Sequence, residues 1–260
     1  MSGTHSVLAH VQEADNAPVN TTFLNDVLRG LSQPQKSLSS KYFYDEAGDH
    51  LFQRIMRCDD YYLTRCEMEV FREKANELVS ELNIDGAGFD LVELGAGDGI
   101  KTRHLLRYLS EANADFRYLP VDISGHILDV LCAGIQQNIS GIDIHPFEGD
   151  YFAALGEIDR FSQRRKVVLF LGSNIGNMPV EDCHTFCLRL GEHMHPGDLL
   201  ITGFDLKKDP RTILKAYDDS DGLTREFNLN LLRRINGELG ADLRLENFEH
   251  FQTYNPVSGA

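Results

Sequence analysis

Residues 90–99 read DLVELGAGDG, an apolar run closed by an acid and followed at once by glycines at 95, 97 and 99. The run has the texture of a short buried strand, and a helix is expected to follow from Ile100 to about Tyr108. Glycines in such a turn let the backbone approach a ligand closely, because no Cβ intervenes and positive φ costs little. The first N–H groups of the next helix lack partners inside it and are free to face that ligand. A turn of this kind sits at the carboxyl end of a strand in a parallel α/β sheet, where cofactors bind.

The pattern then repeats. Arg117–Val121 is expected as a strand ending in Asp122, and Ser124 caps a helix to about Asn138. Residues 142–146 make a weaker strand leading to Gly149-Asp150-Tyr151-Phe152. The continuous apolar run KVVLFL (166–171) marks a strand buried on both faces, and it ends in GSNIGN (172–177). Pro179 suits a first helical turn, with Val180, Cys183, Phe186, Cys187 and Leu190 as the buried stripe. Residues 198–203 supply a fifth strand. Strands alternating with helices in this way predict a doubly wound parallel sheet.

Helices flank this core on both sides. Residues 21–33 are amphipathic, with Phe23, Val27 and Leu31 on one face, and a second helix from about Ala47 to Arg57 buries Leu51, Phe52, Ile55 and Met56. Thr64-Arg65-Cys66-Glu67 has the capping-box pattern and is expected to open a helix running to about Leu82. Near the other end, Asp209-Pro210 opens a helix to Tyr217. A further helix spans about Thr224–Leu239 and buries Phe227, Leu231 and Ile235, and Phe248–Tyr254 is expected as a strand. These helices predict a small, mainly helical second lobe over the cleft. The expected division is 1–64 with 208–260 as a substrate-binding lobe, and 65–207 as the cofactor-binding core.

Composition narrows the partners. A net charge of −15 over 260 residues disfavours phosphate backbones and anionic lipid, so neither nucleic acid nor membrane is expected. No run is long enough to span a bilayer, and the first twenty residues are polar and expected to be frayed. Five cysteines without a CxxC pair point to a reducing compartment. No further Cys or His stands at zinc-ligand spacing from Cys183 and Cys187, and no metal is expected. The expectation is a soluble, cytoplasmic monomer acting on a small molecule.

Two cofactors compete for the glycine turn. The nicotinamide fingerprint is Gly-x-Gly-x-x-Gly, but Ile100 stands where its third glycine belongs. The spacing Gly-x-Gly-x-Gly after Glu93 instead matches the turn of class I S-adenosylmethionine methyltransferases. There Asp122 would accept from both ribose hydroxyls and Asp150 from the adenine amino group. Helix capping is the alternative role for either aspartate.

Longer motifs carry a closer resemblance. KSLSSKYFYDEAGDHLFQRIMRCDDYYLTR, LVELGAGDGIKTRHLL, PVDIS, GDYF, FLGSNIGN and the run from GFDLKKDP to NGELGAD resemble the histidine-specific Nα-methyltransferase family of ergothioneine biosynthesis, from about Lys36 to His250. That resemblance implies a class I methyltransferase (Rossmann-like) core with a second domain, and S-adenosyl-L-methionine as cofactor. It also implies that Tyr44, Gly95, Gly97, Lys101, Asp122, Asp150 and Tyr151 contact the cofactor. Phe52, Tyr61, Gly172, Asn174, Asn177 and Tyr217 would contact the amino acid, with Asn177 and Tyr61 at the reacting amine. The implied reaction is methylation of the L-histidine α-amine, repeated to trimethylhistidine (hercynine).

The sequence departs from the family pattern at Asp98-Gly99, where small polar residues are usual, and at Asn174, where Thr is familiar. Family members also continue with strands that complete the sheet, and with a Glu and a Ser that recognise the imidazole. This sequence has no counterpart of that segment, so its last strand is expected to have an open edge. Methylation of another amino acid or an indole amine stays open beside histidine. So does an inactive cofactor-binding or interaction protein.

Overall fold

Strand β1 (Phe89–Leu94) is buried along its whole length, and the sheet is built outward from it. The computed structural model of the chain describes residues 20–82 and 88–260; the polar segment 1–19, expected to be frayed, lies outside the described residues. β1 pairs in parallel with β2 (Phe116–Asp122) on one side and with β5 (Arg165–Phe170) on the other. Between them in sequence, β3 (Asp143–Ile144) and β4 (Phe147–Glu148) both pair with β2. They are two short pieces of the weak third strand, interrupted at His145-Pro146, where proline has no N–H to offer a ladder. β6 (Leu199–Thr202) pairs with β5. The order β3-β2-β1-β5-β6 reverses direction at β1 and β5. In open parallel sheets ligands bind at that switch point, at the carboxyl ends of the strands.

Alternation along the strands fills two core layers. Phe89, Leu91, Tyr118, Val167 and Leu169 face helices α5 (Arg103–Glu111) and α6 (Gly125–Asn138). Val92, Leu94, Leu119, Val121, Val168 and Phe170 face α7 (Tyr151–Phe161) and α8 (Val180–Glu192). A parallel sheet covered on both faces explains why these strands read as nearly unbroken apolar runs.

The second lobe is organised on α10 (Leu223–Leu239). Phe227 and Leu223 pack with Ile55 of α2 (Glu46–Arg57), with Tyr61 and with Ala216 of α9 (Pro210–Tyr217). Farther along, Leu231 and Ile235 pack with Phe23 and Val27 of α1 (Thr21–Ser32) and with Tyr42. N-terminal and late helices therefore share one core.

Several expectations are corrected. The helix after the glycine turn starts at Arg103, not Ile100, because residues 98–102 continue as turns. The Thr64–Glu67 box does not open a helix: α3 (Tyr62–Glu73) already begins at Tyr62, and Glu67 is engaged elsewhere. The helix does not run through to Leu82, since Lys74 (φ −117°, ψ 12°) breaks it before α4 (Ala75–Glu81). On α8 only Phe186 and Leu190 are buried, while Val180 and Cys187 face outward. Phe248–Tyr254 forms no strand; the imidazole of His250 instead bridges the Asn228 amide and the Tyr217 carbonyl. The outer edge of β6 has no strand partner among the described residues, and Leu200 and Phe204 beside it are exposed.

The start of α10 depends on one carboxylate. Gly222, at the cap position, has φ +69° and no side chain to offer. Asp219 supplies the cap, accepting from the N–H groups of Leu223 and Thr224, both at 2.8 Å. Asp219→Ala is expected to lower stability by about 1–2 kcal/mol, read as a lower urea midpoint at unchanged slope.

Candidate active site

Three turns meet at the carboxyl ends of the strands. The first follows β1. The N–H groups of Gly95 and Ala96 donate to the Val121 carbonyl at 2.8 and 3.1 Å, and the Gly97 N–H donates to Asp122 Oδ2 at 2.9 Å. Gly95 has φ +74°, and a Cβ there would press on the Asn174 amide and the Tyr151 hydroxyl. Gly97 has φ +57° and open space where a Cβ would stand. One glycine lets side chains close in, and the other leaves room for a ligand.

The second turn follows β2. Asp122 Oδ1 accepts from the Ser124 N–H at 3.1 Å, so the carboxylate braces both turns and keeps lone pairs free. Burial raises its pKa, and the backbone hydrogen bonds counter that shift. The third turn follows β5. Ser173 holds the left-handed conformation at φ +54°, a strained state for a residue with a side chain. It feeds the short turn Asn174–Asn177 that carries both asparagines.

Helix α3 fixes the third turn against the first. Glu67 accepts from the Gly172 N–H at 2.6 Å and also pairs with Lys101. Gln53 of α2 reaches Asp98, and Ser124 donates to Asp49 at 2.5 Å. These contacts seat the lobe on the core.

Between lobe and core lies a cavity of about 750 Å³. The expected cofactor residues Tyr44, Gly95, Gly97, Lys101, Asp122, Asp150 and Tyr151 all line it. So do Phe52, Tyr61, Gly172, Asn174 and Asn177 from the expected substrate set. Tyr217 does not: it is 40% exposed and stands behind Tyr61, ring to ring at 6.1 Å and 89°. Asp150 does cap α7, accepting from the Phe152 N–H at 3.1 Å, and still borders the cavity.

One wall is aromatic. Tyr44, Phe52 and Tyr61 are linked by edge contacts at 5.7 and 6.3 Å, with Phe227 behind them. Burial pushes the hydroxyl pKa of Tyr44, Tyr61 and Tyr151 far up, so all three are neutral at physiological pH.

Sequence reading missed Glu67, Gln53 and Asp49. Their partners lie far away in sequence, 105 residues in the case of Glu67 and Gly172, and no local signal reports such a pairing. Glu93, the acid closing β1, faces away from the cavity and accepts from Thr102 and Tyr118 beneath the turn.

A parallel sheet in this order, with a glycine turn after its first strand and carboxylates at the next two strand ends, defines a class I S-adenosylmethionine-dependent methyltransferase. Residues 23–260 match the family described as histidine-specific methyltransferase, SAM-dependent. The chain is 40% identical over 230 residues to the histidine N-alpha-methyltransferase of Mycobacterium tuberculosis, covering 88% of this chain and 70% of that one. It is 38% identical over 248 residues to the Mycolicibacterium smegmatis protein of the same name, covering 95% and 75%. Ergothioneine biosynthesis protein 1 of Neurospora crassa is 31% identical over 217 residues, covering 81% of this chain and 24% of that protein. Among solved structures, magnesium protoporphyrin IX methyltransferase from Synechocystis aligns at a TM-score of 0.44 and 20% identity, over 67% of this chain and 74% of that one. The chain belongs to the histidine-specific, S-adenosylmethionine-dependent methyltransferase family.

Glu93 gives the site's scaffold a testable pH dependence. Burial pushes its pKa from 4.5 up to about 7. A raised folded-state value means that the folded state holds the proton more tightly. The stability this group contributes is therefore fully present below about pH 4.5 and lost as pH rises through about 7. Denaturant unfolding should show the protein losing stability relative to Glu93→Gln between about pH 5 and 8. Parallel profiles would refute the assignment.

Proposed function

We propose that the chain methylates the α-amine of L-histidine, repeatedly, to give trimethylhistidine for ergothioneine biosynthesis. The observation that carries this reading is the cavity itself, where cofactor-type carboxylates and an aromatic, asparagine-bearing wall face each other across the lobe–core seam. The family's description and the names of its relatives support histidine as the substrate.

The residues present fit the cofactor. Gly97 leaves open space, Asp122 retains acceptor capacity for a ribose diol, and Asp150 has a carboxylate oxygen not used by its cap. S-adenosylmethionine supplies an activated methyl group on a sulfonium. In this reading Tyr44, Gly95, Lys101 and Tyr151 complete its surroundings. Asn177 and Tyr61 orient the amine, and Phe52, Gly172 and Asn174 shape the pocket around the amino acid. Tyr217 acts by backing Tyr61.

Neutral tyrosines and an amide can hold an amine without requiring that it stay charged. The chain's contribution is then alignment and exclusion of water, with the amine proton passing to solvent. Aromatic faces also tolerate the growing methylammonium, since cations are attracted to ring faces.

The division into a substrate lobe (1–64 and 208–260) and a cofactor core (65–207) belongs to the same reading. No helix among the described residues is long and apolar enough to cross a membrane, and the described cysteines are all free. The acidic net charge disfavours nucleic acid and anionic lipid as partners, and a cytoplasmic monomer belongs to the same reading.

Mass spectrometry of a reaction with S-adenosylmethionine and an equimolar amino-acid pool is expected to show methyl groups on histidine alone. A different methylated amino acid would overturn the substrate. Asn177→Ala should lower kcat by about a hundredfold and change cofactor affinity by less than about threefold. Asp122→Asn should do the reverse, weakening cofactor binding by about tenfold or more.

A further inference from the structure

A second constellation lies outside the cavity, on the seam between lobe and core. Glu46 and His50 stand four residues apart on α2 and so share one helix face. His126 is the second residue of α6, which packs against α2. One ligand atom from each of the three lies within 4.8 Å of the others. The two imidazoles meet edge to face at 5.6 Å and 72°. Among the described residues, no hydrogen bond or ion pair engages any of these three side chains.

The surroundings favour a cation. Asp49 lies next to His50 in sequence and is buried with its carboxylate on Ser124. The Glu148 carboxylate abuts Gly125, the neighbour of His126. Two imidazoles and one carboxylate are a donor set of the zinc class, and three protein ligands leave a position for water. Nearest ligand atoms in a tetrahedral shell stand roughly 3.4 Å apart, a contraction that rotation of accessible side chains can supply.

We propose that Glu46, His50 and His126 form a transition-metal site that fastens α2 of the lobe to α6 of the core. The ion would act beside the Asp49–Ser124 hydrogen bond, and Ser124 in turn donates its N–H to Asp122. The site is independent of the identity of the methylated substrate. The third ligand, His126, comes from a separate segment, so the i, i+4 pair on α2 does not announce the site by itself. Preference among ions should follow the usual order for nitrogen and oxygen donors, with cobalt weaker than zinc.

The test uses the full chain without a histidine tag, titrated with Co²⁺ and followed by its visible absorption, then displaced with Zn²⁺. One equivalent is expected to bind, and Zn²⁺ should raise the thermal midpoint. His50→Ala and His126→Ala should each weaken binding by at least about tenfold, with metal-free circular dichroism unchanged. His184→Ala and the double variant Cys183→Ser/Cys187→Ser should bind as the parent does. Binding that survives both histidine changes, that is lost with the cysteines, or that requires millimolar metal would overturn the proposal.

Discussion

The carboxylate of Asp122 is the joint on which the site depends. One oxygen accepts from Gly97 in the turn after β1, and the other accepts from Ser124 at the entry to α6. These bonds set the distance between two strand ends that no side-chain packing could fix so closely, because glycine has nothing to pack. The same carboxylate is held in a mostly buried position where its charge is costly, and the backbone donors offset that cost. A site built this way is rigid before any ligand arrives, which is what a positioning enzyme requires.

Rigidity within the core would be of little use if the lobe floated. Gln53 and Asp49 of α2 answer this by meeting Asp98 and Ser124 of the core. Glu67, on the helix that follows Tyr61, binds the Gly172 N–H on one side and Lys101 on the other. It therefore ties helix α3 both to the loop carrying the asparagines and to the turn region after β1. A partly buried carboxylate is retained where donors offset its lost hydration, and Glu67 has a charged partner and a backbone donor. With the Gln53–Asp98 and Ser124–Asp49 contacts, it sets how the aromatic wall of the lobe faces the tips of the sheet.

Much of this was readable from residues, for identifiable reasons. The KVVLFL run declared a doubly covered strand because burial on both faces removes every polar position. Ser124 and Asp209 declared helix starts because a short acceptor before a periodic stretch has one common use. Failures came where a residue's partner is remote. Thr64–Glu67 looked like a local cap, yet Glu67 is claimed by Gly172 and Lys101 across the fold. Tyr217 was expected in the pocket, but α9 ends so that its ring backs Tyr61 instead of lining the cavity. The stripe expected on α8 shrank to Phe186 and Leu190 because only that part of the helix lies over Phe170.

The chemistry of the cavity follows from what burial does to each kind of group. Tyr44, Tyr61 and Tyr151 are driven to stay protonated, so none serves as an anionic base. An ammonium entering the same surroundings meets the opposite pressure, since desolvation favours its neutral form. In the proposed reaction the pocket would thus favour loss of the proton that blocks methyl transfer, with solvent as its acceptor. In that reaction a fully methylated product has no proton to lose and stays charged, and the aromatic rings of Phe52 and Tyr61 would hold that charge. One wall would therefore suit both the neutral amine that reacts in the proposed chemistry and the permanent cation that full methylation gives.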